Sequence, residues 1–239
     1  MLRFLRDVVI ILLVAFTVSF LLKTFLVRSF YIPSGSMENT LHVNDRILVN
    51  QLVPDLVGVQ RGDVIVFRDP GGWLNLPASV TQASPSAFEQ VLQTVGLAAD
   101  TSADYVIKRV IGVGGDQVVC CDAEGRVTVN GVPLDEPYVL LPEGKTRVSE
   151  IDFDVVVPAG AVWVMGDNRY SSRDSRYNQD QPGRGFVSEE EIVGRAFVLN
   201  WPFDRFTLLS NYPETFLGVA EAANAAASEP AGTEGDARN

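Results

Sequence analysis

Histidine and cysteine are nearly missing from this 239-residue chain, which holds one histidine, His42, and two adjacent cysteines, Cys120 and Cys121. A four-ligand zinc or iron–sulfur site built from those side chains needs more donors than that. A Ser-His-Asp triad has only His42 to draw on. Charge is also scarce, at 21% of residues, and leans to one sign, with a net charge of −11. A surface of that sign repels a phosphate backbone, so nucleic acid is excluded as a natural partner. What the chain does have is apolar residues, 46% of the total, with a mean hydropathy of +0.13. That excludes wholesale disorder and points to a membrane contribution. The length suits one embellished domain, or two, burying about 70% of the unfolded surface.

The apolar excess is concentrated at the front. Val8–Leu22 is fifteen residues without a charge, and the run reaches twenty if Lys23 is tolerated and the count stops at Val27. About 20 residues cross a bilayer as a helix, and a lysine near one end can extend its ammonium to the interface. Arg3, Arg6, Lys23 and Arg28 against Asp7 give residues 1–28 a net +3, so the remaining 211 carry −14. Arg3 and Arg6 predict a cytoplasmic N-terminus (residues 1–7), with an anchor over 8–27 and the rest outside. The stretch after the apolar core, LLKTFLVRSFYIP, lacks the Ala-x-Ala of a cleaved leader, so the anchor is read as uncleaved.

Beyond the anchor the pattern is β. Ile47–Val49, Val64–Phe67, Tyr105–Val113, Val155–Val157, Val162–Met165 and Ile192–Leu199 are short β-branched runs between Gly, Pro and Asp. Arg126–Val129 followed by Asn130-Gly131 predicts a hairpin, because a type I′ turn needs positive φ at both central residues. The expected fold is therefore mainly β: an N-terminal transmembrane helix, then an antiparallel body over 28–216. Within residues 71–103, Phe88, Val91, Leu92 and Val95 fall at helical spacing and Ser86 with Glu89 forms a capping box. They predict a short helical insert, with packing on the body favoured over lipid contact. From 217 the chain turns Ala-, Glu- and Gly-rich and is expected to be a disordered acidic tail.

Four stretches carry the chemistry: Ile32–Leu41, containing Ser34-Gly35-Ser36-Met37; Arg61–Phe67; Asp104–Asp116, containing Lys108-Arg109; and Gly166–Arg176, which begins Gly-Asp-Asn-Arg. Alone, each has an ordinary explanation, such as a turn for Ser34-Gly35-Ser36 or a strand end for Lys108. But strict alternation puts Lys108 with Val106 and Val110, and Arg109 with Ile107 and Ile111, so one of the two cations must share an apolar face. A buried lysine loses its preference for charge. A neutral amine is the general base a serine nucleophile requires, which makes Ser36 with Lys108 a chemically sensible dyad.

Together and in this order behind an anchor, the four stretches resemble the serine-bearing, strand, lysine-bearing and Gly-Asp-Asn-Arg boxes of bacterial type I signal peptidases, over about residues 1–70 and 104–205. The resemblance implies the signal-peptidase type of β-sheet catalytic domain with a smaller accessory β lobe, taken here as 117–160. It implies a membrane-bound serine endopeptidase that removes signal peptides from preproteins as they leave the export machinery, after Ala-x-Ala sites. Membrane lipid and the signal peptide are the implied partners, and no metal or cofactor is implied. Ser36 matches the nucleophile and Lys108 the base. Ser34 matches an oxyanion-hole hydroxyl, and Ser172 a hydroxyl that orients the lysine. Asp167, Arg169, Asp174 and Arg176 match charges that support the last box. Phe30, Ile32, Met37, Leu41 and Ile107 match the lining of shallow pockets for small substrate residues. Two positions depart: proline is usual where Asn39 sits, and aspartate often stands where Tyr170 sits. Neither moves a proton, so the expected consequence is looser local structure rather than lost activity.

Rival readings fit less well. A triad through His42 asks a residue six positions from Ser36 to fold back onto it. A Ser-x-x-Lys enzyme is excluded at Ser36, because the third residue on is Asn39. A sortase-like transpeptidase needs a lone reactive cysteine. Gly112-Val113-Gly114-Gly115 lacks the Gly-Lys-[Ser/Thr] of a phosphate loop and runs on into strand. A self-cleaving Ser/Lys repressor carries a DNA-reading domain where this chain has its anchor. A catalytically inert, membrane-anchored β-rich interaction module is the alternative from another class. For Cys120 and Cys121, a vicinal disulfide, free thiols and pairing between chains all stay open.

Overall fold

A computed structural model describes residues 2–74 and 105–228. The expected helical insert, with Phe88, Val91, Leu92 and Val95, lies outside the described residues. Helix α1 (Leu2–Phe25) leads, one residue later, into strand β1 (Val27–Tyr31). The segment expected as the anchor is thus helical to Phe25, but Val27 belongs to the sheet. Of the apolar side chains described on α1, Phe4, Leu5 and those from Val9 through Val18 are exposed, and Val8 is half-buried. Among the described residues no helix is long and apolar enough to cross a membrane.

The body is two antiparallel sheets. The larger contains β1, β2 (Arg46–Asn50), β3 (Val64–Arg68), β4 (Tyr105–Val113), β9 (Ala161–Met165), β10 (Val187–Ser188), β11 (Ile192–Trp201) and β12 (Thr207–Leu208). Its order is β1-β2-β11-β3-β4-β9-β10, with β12 on β11. The smaller is β7-β6-β5-β8, from β5 (Gln117–Cys120), β6 (Val127–Val129), β7 (Val132–Pro133) and β8 (Phe153–Val156). The β6–β7 hairpin turns on Asn130 at φ 52° and Gly131 at φ 79°, the two positive values a type I′ turn demands. Cys120 and Cys121, at the end of β5, are joined as a disulfide.

Strand β4 sits mid-sheet between β3 and β9. Its side chains divide among three apolar clusters. Ile107 joins Phe30, Met37 and Leu41; Val106 and Val110 join Ile65 and Val164; and Ile111 joins Trp163 and the small sheet's Val118 and Val129. Both faces are covered, so alternation does not leave one cation in water. Lys108 and Arg109 are both buried, at 4% and 0% exposure.

The tail differs from expectation over its described residues; 229–239 lie outside them. Residues Val219–Ser228 form helix α2 rather than a disordered segment. Ala-rich sequence has high helix propensity, and Val219 is fully buried against the small sheet's core. Its carbonyl accepts a hydrogen bond from Asn130 Nδ2 (3.3 Å), and Thr215 Oγ1 donates to Asp135 O (2.8 Å) just before the helix.

Candidate active site

Ser36 lies in a one-turn 3-10 segment, Gly35–Met37, between β1 and β2. The turn is fixed from inside by Leu41 N–H donating to Met37 O (2.8 Å) and from outside by Asn168 N–H donating to Ser36 O (3.1 Å). Gly166 makes that approach possible, because a Cβ there would collide with both Ser36 O and Ser172 Oγ.

Lys108 reaches this turn from β4. Its Nζ lies 2.7 Å from Ser36 Oγ and 2.9 Å from Ile107 O. Burial pushes its pKa down to about 8; Asp174 and Asp167 oppose that, and Arg176 adds to it. A charge removed from water is destabilised unless a partner compensates, and no carboxylate contacts this amine directly in the described geometry. The two groups that sequence reasoning paired, 72 positions apart, are therefore in hydrogen-bond contact.

The other expected site residues are placed unevenly. Ser34 Oγ is 3.4 Å from Ser36 Oγ, on an exposed side chain. Ser172 is buried beside the site, but the hydrogen bond expected between it and the lysine is not formed. Its hydroxyl contributes slightly to the low pKa of Asp174, yet has no well-directed hydrogen-bond partner among the described residues. The β9-to-turn geometry packs Ser172 onto Gly166, while the amine is already occupied by Ser36 and Ile107 O. Phe30, Ile32, Met37, Leu41 and Ile107 form one cluster next to Ser36, all at 9% exposure or less. They are packed core beside the nucleophile turn.

The supporting charges are ion-paired, with partners the sequence did not reveal. Asp167 takes Arg109 in two hydrogen bonds (2.9 and 2.7 Å) and Thr40 Oγ1 in a third (2.5 Å). Arg169 grips Glu136 at 2.7 and 2.6 Å. Asp174 pairs with Arg176 (2.8 Å twice) and accepts Gly166 N–H (2.9 Å). The Arg176 guanidinium, followed by the Gly166 N–H, holds the Asp174 carboxyl low despite burial, and Glu136 holds Arg169 high. Arg109 had a signal, as a second cation in an apolar run. Thr40, Glu136 and Tyr138 had none.

His42 does not join Ser36. It is exposed, and its backbone N–H donates to Asp45 Oδ2 (2.7 Å), while the Asp45 carboxylate is held by Arg205. Among the described residues no group of three His, Cys, Asp or Glu side chains is placed to hold a metal ion.

The family model for signal peptidase, peptidase S26, matches residues 3–201. The chain belongs to the signal peptidase family. It is 35% identical to a probable signal peptidase I of Mycobacterium leprae, across 84% of this chain and 77% of that protein. It is 36% identical to a signal peptidase I of Mycobacterium tuberculosis, across 84% and 74%. A probable signal peptidase I-2 of Synechocystis is 35% identical across 81% and 72%. The chain is accordingly a peptidase, a hydrolase, and the family supports catalysis over an inert interaction module.

Within this signal peptidase the two departures from the usual boxes are structured, not loose. Asn39 adopts φ 86° and donates from Nδ2 to Tyr138 O (3.1 Å). Tyr170 Oη donates to Arg147 O (2.9 Å). Each substitutes a hydrogen bond for the rigidity expected to be lost.

Proposed function

We propose that this signal peptidase works from the outer face of a membrane, with Ser36 as nucleophile and Lys108 as general base. The observation carrying the reading is the 2.7 Å contact between Ser36 Oγ and an amine whose pKa is lowered to about 8 by burial. In the neutral form Nζ accepts the Ser36 hydroxyl proton as Oγ attacks the carbonyl carbon of the small residue before the scissile bond. The oxyanion takes hydrogen bonds from the Ser36 N–H and the Ser34 hydroxyl. The lysine then gives its proton to the leaving amine, leaving an acyl-serine. A water deprotonated by the same amine attacks that ester, and the proton returns to Ser36 Oγ as the product acid leaves.

We read 28–216 as the extracytoplasmic peptidase domain, with 117–160 as its accessory lobe and α1 as the anchor, N-terminus inside. A helix apolar on all its described faces from Val8 to Val18, with Arg3 and Arg6 before it, supports that reading. Exposed Trp201, Phe203, Phe206 and Leu208, at 44 to 75% exposure around β12, support contact of the body with lipid. Anchoring confines enzyme and signal peptide to one surface, raising their effective concentration. Phe30, Ile32, Met37, Leu41 and Ile107 are assigned to the floor on which small −1 and −3 side chains rest, and Ser172 to a position beside the lysine.

Purified protein in detergent, given a preprotein with an Ala-x-Ala site, tests the assignment. Ser36→Ala and Lys108→Ala are expected to lose cleavage, while His42→Ala and added chelator leave it unchanged. Loss in His42→Ala with retention in Lys108→Ala, or abolition by chelator, would replace the Ser/Lys scheme.

A further inference from the structure

We propose that Asn39 is a positioning residue: its side-chain amide ties the nucleophile turn to the connection between β7 and β8 and so sets the Ser36–Lys108 contact. The proposal rests on the Ser36/Lys108 reading above.

Asn39 stands three residues after Ser36, where the chain must reverse toward β2. Its φ of 86° is in the left-handed region, which asparagine tolerates and a proline ring, fixed near −65°, does not. The proline usual at this point of the family pattern is therefore incompatible with the turn as this chain builds it. In its place Asn39 Nδ2 donates to Tyr138 O at 3.1 Å.

Tyr138 is a firm attachment point. It is 1% exposed, its hydroxyl donates to Glu136 (2.8 Å), and its ring lies 4.0 Å from the guanidinium carbon of Arg109. Arg109 directly follows Lys108 on β4. The connections close into a circuit: Ser36 to Asn39 along the chain, Asn39 to Tyr138 by hydrogen bond, Tyr138 to Arg109 by ring stacking, Arg109 to Lys108 along the strand, and Lys108 Nζ back to Ser36 Oγ. On the opposite flank Asn168 holds Gly35 O (3.2 Å) and Ser36 O (3.1 Å). The turn is thus clamped from both sides. Releasing the Asn39 side lets Ser36 drift from the amine and lets water reach Lys108.

Two variants remove the donor without straining the backbone. Asn39→Gly accepts the positive φ with no amide, and Asn39→Asp keeps the shape but has no N–H. Both are expected to lower kcat about tenfold with KM near the wild-type value, since misplacing a reacting group by about 1 Å costs up to roughly 10²-fold. In both, the ascending limb of the pH–rate profile is expected to move above the wild-type value as the amine is rehydrated, with thermal midpoints unchanged. Asn39→Pro is expected to be the least active of the three. Wild-type kcat and pH limb in folded Asn39→Gly and Asn39→Asp would overturn the proposal, as would a change confined to KM, which marks a substrate contact. Wild-type activity in Asn39→Pro would overturn the backbone argument. Inactivity of the wild type itself would count against the Ser36/Lys108 reading instead.

Discussion

Lys108→Met is expected to abolish cleavage and, at neutral pH, to leave the protein more stable than wild type. The amine is 4% exposed and its pKa is about 8 in the fold against 10.5 in an unfolded chain. Below pH 8 both states are protonated, and the fold bears the full cost of a buried charge, about 3 kcal/mol for that difference. Between pH 8 and 10.5 the unfolded chain binds the proton and the fold does not, so wild-type stability rises with pH through that window. Methionine fills similar space with no charge to bury. It forfeits the hydrogen bonds to Ser36 Oγ and Ile107 O, each worth about 1 kcal/mol net. The variant should therefore be about 1 kcal/mol more stable at pH 7 and less stable than wild type above pH 10.5. Urea unfolding across that range reads the crossing directly. A variant less stable at every pH would mean that the fold accommodates the lysine charge without cost.

Asp167→Ala is expected to cost more stability than any surface change, about 3–5 kcal/mol. Asp167 and Arg109 are both fully buried and joined by two hydrogen bonds. Removing the carboxylate leaves an enclosed guanidinium with Gly62 O, Ser210 O and Thr40 Oγ1 as its acceptors among the described residues, at 2.7, 3.2 and 3.3 Å. It also frees Thr40 from Asp167, which loosens the turn behind Ser36. A loss of that size is a large part of the roughly 5–15 kcal/mol that holds a domain folded. Adding Arg109→Met to the same chain is expected to recover part of it, because the uncompensated charge goes too. The half-exposed pair Lys145–Glu150, 3.8 Å apart, serves as control, with a change within about 0.5 kcal/mol when Glu150 is replaced by Gln. A cost below about 1 kcal/mol for Asp167→Ala would show that Arg109 is supported by its other contacts alone.

What the sequence made legible follows from where physics leaves a local trace. Strand β4 was readable to the residue because β-branched and aromatic residues (Tyr105, Val106, Ile107, Val110, Ile111 and Val113) fill six of its nine positions, and such residues favour strands. The β6–β7 hairpin was readable because Asn130-Gly131 suits positive φ. Two-residue strands such as β10 and β12 carry no period and are created by their neighbours. Helix α2 was hidden because Glu221 and its alanines look solvated until Val219 finds the core of the small sheet. In the site, Ser36 and Lys108 were visible as chemistry, and Asp167, Arg169, Asp174 and Arg176 as charge. Which charge pairs with which was not, since Asp167 reaches back 58 positions to Arg109 and Arg169 reaches 33 to Glu136. The use of Asn39 as a donor to Tyr138 O, 99 positions on, is equally non-local.

The account stands on Lys108 being neutral when it meets Ser36. The pH dependence of kcat/KM on a preprotein in detergent, which reports groups of the free enzyme, tests this most directly. The account predicts a rate that rises tenfold per pH unit below a single ascending limb near pH 8, unchanged in His42→Ala, matching an amine held at about 8 by burial. A rate flat from pH 6 to 10, or an ascending limb that disappears in His42→Ala, would contradict it.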